Sequence, residues 1–128
     1  MSDIVFGQGT PPAGPRRKMR IFMVNLTHEE TGVDGFIHIT TLRGSHGPAI
    51  AWYTDRPDGD LPSVAVTIEA EPRSVNHGVD SAQWRGVEAA VLRWVALNRD
   101  DLLHFWEVGA TWTGAAVNDF IDRLKKLP

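Results

Sequence analysis

Five histidines, His28, His38, His46, His77 and His104, are the side chains of this sequence best suited to moving a proton near neutral pH. No two of them show the H-x-x-x-H or H-E-x-x-H spacing that places two imidazoles on one helical face, so no helical zinc site is written locally. His28, His46 and His77 could meet only if three loops gathered at one end of a sheet, and solvated loop histidines are the simpler reading. His46, His38, Arg43 and Glu69 could converge as base and cation in a small metal-independent nuclease or hydrolase, if the second and third strands are neighbours. Ser45 and His46 are the only adjacent serine and histidine, but neighbours in sequence point in different directions, so no nucleophile–base pair follows. Asp55, Asp58 and Asp60 crowd one turn without the spacing or the terminal glutamate of a calcium loop, and aspartate is favoured in turns anyway. Gly7, Gly9 and Gly14 match neither phosphate-loop pattern. Neither a metal nor a cofactor is expected.

Composition narrows the classes further. The 128 residues suit one domain with a self-sufficient core. There is no cysteine, which excludes disulfides, thiolate metal sites and a thiol nucleophile. No apolar run approaches the roughly 20 residues of a membrane span, and Met1–Lys18 has no apolar signal core, so a cytoplasmic chain without membrane contact is expected. Net charge is −3, with five Lys/Arg against four Asp/Glu in residues 1–54 and eight against twelve beyond. Nucleic-acid binders usually carry a domain-wide basic bias, and here a phosphate contact could come only from the cluster Arg16, Arg17, Lys18 and Arg20.

These residues must be positioned by the elements around them. Residues 1–18, rich in Gly and Pro, read as an extended arm ahead of a single domain spanning 19–128. Strands are predicted at Met19–Val24, Gly35–Thr40, Ala49–Thr54 and Val64–Ala70. In the second, Ile37 and Ile39 oppose Phe36, His38 and Thr40; in the fourth, Val64, Val66, Ile68 and Ala70 oppose Ala65, Thr67 and Glu69. The intervening gaps are too short for crossover helices, which makes an antiparallel meander. Pro72–Val79 closes the strand region. From Trp84 to Trp106 the spacing of Trp84, Val87, Val91, Trp94, Val95, Leu102 and Trp106 marks one side of a helix, entered at Asp80 or Ser81 and broken near Asn98–Asp101. A turn anchored by Trp112 precedes a last helix capped by Thr113, with Val117, Phe120, Ile121 and Leu124 on its apolar side. The fold class is α+β: about four antiparallel strands in a meander, then two or three C-terminal helices packed on one face.

Trp84, Trp94 and Trp106 read as core, whereas Trp52 beside Tyr53 on an alternating strand must send one ring to the opposite face. An aromatic exposed there would anchor a protein partner, unless the N-terminal arm covers that side. Gly44-Ser45-His46-Gly47-Pro48, Glu71-Pro72-Arg73-Ser74-Val75 and Trp94-Val95-Ala96-Leu97-Asn98 with Leu102, Leu103 and Trp106 together carry a resemblance. Over Gly44 to Trp106, about half the chain, the sequence resembles short bacterial and phage proteins similar to the domain of unknown function 4160. The resemblance implies a compact α+β domain, a neighbourhood of antitoxin-like genes and hence a protein partner. It carries over no catalytic residue. Its histidine-rich opening stretch has no counterpart here, and Ala49-Ile50 follows the turn where a basic residue is expected. A small protein-interaction or accessory module, or a homo-oligomer, is the leading expectation, and the nuclease or hydrolase is the competing one.

Overall fold

Alternation of apolar and polar residues becomes, in space, a sheet with one dry face. The computed structural model describes residues 20–42, 47–57 and 61–128. Within them, β1 (Met23–Leu26), β2 (Phe36–Thr40), β3 (Ala49–Tyr53), β4 (Ser63–Thr67) and β5 (Ser74–His77) form one antiparallel sheet whose spatial order is the order of the sequence. The register sets Leu26 opposite Ile37, Ile37 opposite Trp52, and Trp52 opposite Val64, so all four side chains lie on one face and all are buried. A one-turn helix, α1 (His28–Thr31), joins β1 to β2 and is capped by Thr27 and Glu30 in a reciprocal box.

The meander has five strands rather than four. The fifth escapes a periodicity reading because its sequence, Ser-Val-Asn-His, puts Ser74 and Asn76 at the two positions that face the dry side. Pairing with β4 creates this strand, not apolar alternation. The first strand also starts later than its apolar run predicts. Arg20 gives its N–H to the carbonyl of Ala110 and Phe22 gives its own to the Thr41 hydroxyl, so the chain approaches the sheet before regular pairing begins. Beyond β4, Ile68 stays buried but Ala70 is exposed, because the chain has already turned toward β5.

Three helices cover the dry face: α2 (Ser81–Leu97), α3 (Arg99–Val108) and, after a 3₁₀ turn at Gly109–Thr111, α4 (Gly114–Arg123). Asp80 caps α2 by accepting the Gln83 N–H, and the Thr113 hydroxyl caps α4 by accepting that of Ala116. Val91, Trp94 and Val95 of α2 meet Leu102 and Phe105 of α3 and Val117 and Phe120 of α4 in one core. Phe105 and Phe120 stack with centroids 4.6 Å apart, and Trp112 leans on both rings. Trp106 is only half-buried, since the break at Asn98 resets the helical phase and turns Phe105 inward in its place. The indole N–H of fully buried Trp94 has no acceptor among the described residues, so this ring contributes apolar area alone.

Buried Asn98 makes the corner between α2 and α3. Its amide donates to the carbonyls of Trp94 (3.1 Å) and Lys125 (2.9 Å), and its Oδ1 accepts the Lys125 N–H at 2.7 Å. The tail so held runs back to the sheet, where Leu127 donates to the carbonyl of Thr31 at 2.9 Å. Gly32, at φ 77°, passes beneath this crossing, and any side chain there would strike the Leu127 carbonyl. Asn98→Ala deletes three hydrogen bonds and strands the backbone groups of Lys125. It is expected to cost about 1–3 kcal/mol, read as a lowered urea midpoint at constant slope. An unchanged midpoint would show that the amide holds nothing.

Candidate functional site

The strand residues that alternate with the inward-facing ones point to the other side of the sheet, opposite the side that α2, α3 and α4 cover. One cross-strand row, Asn25, His38, Ala51, Ala65 and Val75, runs over all five strands. Phe36 lies opposite Tyr53 on one side of this row, and Met23 opposite Thr40 on the other. The row is low in the middle, where Ala51 and Ala65 present single methyl groups. A groove of about 370 Å³ opens beside it, lined by Pro48, Ala49, Ala65, Thr67, Val75 and His77 among others. Val75 at 54 % and Met23 at 61 % exposure stand on the two margins as uncovered apolar side chains.

The electrostatics of this face differ from those of the chain as a whole. Although acids outnumber bases in the sequence, no outward-facing strand residue carries a carboxylate. Glu69, just past β4, accepts the Thr67 hydroxyl at 2.6 Å and the Arg73 Nε–H at 3.0 Å. Those two hydrogen bonds, in that order, hold its carboxyl below the ordinary glutamate range. The Arg56 guanidinium lies 5.5 Å from the centroid of Phe36. His38 shares its proton with Asn25, Nδ1 to Oδ1 at 2.7 Å, and meets Tyr53 edge-on at 6.4 Å. An amide oxygen only accepts, so Nδ1 donates and the neutral ring keeps its lone pair on Nε2. Partial burial disfavours the charged ring and pushes the His38 pKa down.

The sequence candidates scatter over this frame. His38 and Glu69 stand on either side of β3 in separate hydrogen-bonded clusters, His38 with Asn25 and Glu69 with Thr67 and Arg73. The described residues therefore do not bring them together as base and partner. Arg43 and His46 lie outside the described residues, as do Asp58, Asp60, Arg16, Arg17 and Lys18. Arg20 lies at the helix layer, where its guanidinium donates to the Trp112 carbonyl at 3.3 Å. His28 pairs with Asp34 at 3.3 Å, and among the described residues no three His, Asp or Glu side chains gather as metal ligands. Asp55 borders a separate polar cleft of about 250 Å³ with Tyr53, Asp80 and Gln83.

Trp52 needs correction as a partner anchor. It is 2 % exposed, packed 5.6 Å from Trp84, with its Nε1–H donated to the Asp34 carbonyl at 2.8 Å. Gly35, at φ 89°, leaves the room: a Cβ there would lie 2.6 Å from the indole nitrogen. The inward pull comes from register, which sets Trp52 level with Ile37 and Val64 on the dry face. Tyr53 is the ring on the open side, half-exposed beside Phe36 and His38. Phe36, Ala51 and Val75 are the members of this face that chemistry-led reading passes over. The signal for Phe36 and Ala51 is the same alternation that marks the core, read for its other phase, whereas Val75 reaches this face only through the pairing of β5 with β4.

No family model, no curated protein and no solved structure matches this chain.

Trp52→Ala is expected to cost about 3–5 kcal/mol, as for buried aromatics generally, and Tyr53→Ala distinctly less. Equal losses in chemical denaturation would overturn the assignment of the two faces. For His38 the lowered pKa means that the unfolded chain binds more protons than the folded one at pH values between the two pKa values. Stability should therefore fall as pH drops through the ordinary histidine range, and the fall should be smaller in His38→Gln. An NMR titration placing His38 at or above its ordinary value would contradict this.

Proposed function

We propose that this chain is a protein-interaction module that offers the helix-free face of its sheet to a protein partner. One observation carries the reading: all described helices pack on one side, while the other side leaves apolar and aromatic side chains half-covered around an alanine-floored groove. Monomeric proteins rarely leave such surfaces contiguous unless something binds them. Phe36 and Tyr53 supply rigid rings, Ala51 and Ala65 a floor that admits a partner's side chains, and the absence of strand carboxylates removes one desolvation penalty. The motif resemblance over Gly44 to Trp106 supports the same direction, toward a role beside an antitoxin-like or mobile-element partner.

Tagged protein purified gently from its native host should carry a stoichiometric protein partner. Ala51→Glu and Ala65→Glu place charges on the floor of the open face without entering the core, and each should release that partner while leaving the unfolding midpoint near that of the parent. A partner retained by both variants, or no partner at all, would reject the open face as the binding surface.

A further inference from the structure

The outer edge of β5 has a defined hydrogen-bonding pattern. Thr67 donates its N–H to the carbonyl of Arg73, and Ile68 donates on the other side of β4 to the carbonyl of Pro48. In an antiparallel ladder the bonding direction alternates with each residue, so Thr67, Ala65 and Ser63 bond toward β5, and Arg73, Val75 and His77 bond back. Ser74 and Asn76 consequently direct their backbone N–H and C=O groups away from the sheet. Natural sheets guard such edges with proline, charged side chains or bulges. The four residues of β5 include no proline, lysine, arginine or carboxylate, and their pairing with β4 is continuous. Val75, Asn76 and His77 are all exposed.

We propose that a second copy of this chain adds to this edge, strand β5 against strand β5 about a two-fold axis, making one continuous sheet from two molecules. Self-complementarity argues for a second copy rather than a foreign strand. When the axis passes at Val75, Ser74 lies opposite Asn76 of the second molecule and Asn76 opposite its Ser74. All the outward N–H and C=O groups of both residues are then paired. A shift of the axis to Ser74 would oppose Asn76 to Pro72, which has no N–H, and a shift to Asn76 would oppose Ser74 to Gly78, whose φ of 98° lies outside any strand. The strand thus admits one full register with itself, and two-fold interfaces use the same patch twice. In that register the two Val75 side chains face one another as a close non-hydrogen-bonded pair, which covers the residue that stands exposed on the rim of the groove. The open faces of the two molecules become one surface, with the grooves meeting across the axis.

Sedimentation velocity over a concentration series should show a reversible species of twice 14.2 kDa. Ser74→Pro removes an outward N–H and the hydroxyl contact to Glu88 but no backbone bond to β4, so it should leave a folded monomer. The chain has no cysteine, which makes single-cysteine variants clean reporters. Opposed Cα atoms in a non-hydrogen-bonded pair lie about 4.5 Å apart, inside disulfide range. Val75→Cys should therefore oxidise to a covalent dimer far faster than Met23→Cys, which is slightly more exposed but on the opposite edge, and Ser74→Pro in the same chain should abolish the difference. A monomer at every concentration would overturn the proposal. So would a dimer indifferent to Ser74→Pro, or cross-linking no faster at position 75 than at 23. Because Ser74 lies off the open face, loss of self-association through it leaves the partner-binding test at Ala51 and Ala65 independently readable.

Discussion

The buried amide of Asn98 is the junction on which the layering of this protein depends. A continuous helix from Ser81 through Val108 would run well past the sheet, since a residue adds about 1.5 Å of helix and the strands are four or five residues long. The break at Asn98 folds that length back on itself, and the same side chain takes both backbone groups of Lys125. Lys125 in turn leads to Leu127, which bonds to Thr31 beside the first hairpin. One polar side chain thereby ties helix corner, chain end and sheet together in a place where an unsatisfied amide would be costly.

From that corner follows the asymmetry of the molecule. With α2, α3 and α4 all gathered over the face of Ile37, Trp52 and Val64, the described chain has no helix left for the other face. The open side is built from what alternation puts there: small, aromatic and neutral residues in the middle, with the Glu69–Arg73 pair at its border. A surface of that kind suits the partner-binding role proposed for it. His38 sits on this face with its Nδ1 proton engaged by Asn25, in an environment that favours the neutral ring.

Two features of the sheet were legible in different degrees for physical reasons. The inward strands wrote themselves into the sequence through Ile37 and Ile39 or Val64 and Val66, because one buried face demands apolar residues at every second position. The edge strand β5 has no such demand: its inward positions are filled by Ser74, bonded to Glu88, and Asn76, bonded to the backbone of Val79. An edge strand that satisfies its inward side chains by hydrogen bonds looks, in one dimension, like a loop. The candidate site was half visible in the same way, for Phe36, His38 and Ala65 were identifiable as outward residues, while the groove between them needed the strands side by side.

By itself the sequence determined the class of this protein: the meander, the caps at Asp80 and Thr113, the break at Asn98 and the apolar side of each helix all follow from local periodicity and local hydrogen bonding. Tertiary structure alone decided which member of the Trp52–Tyr53 pair is buried, because alternation says that two neighbours face apart but only the register with β2 and β4 says which one faces in. It also decided that His38 and Glu69 belong to separate clusters and that Ser74 and Asn76 turn their side chains to the dry face while their backbone groups point out from the sheet edge. Those outcomes depend on residues far apart in the chain becoming neighbours, and no local pattern encodes a distance between strands.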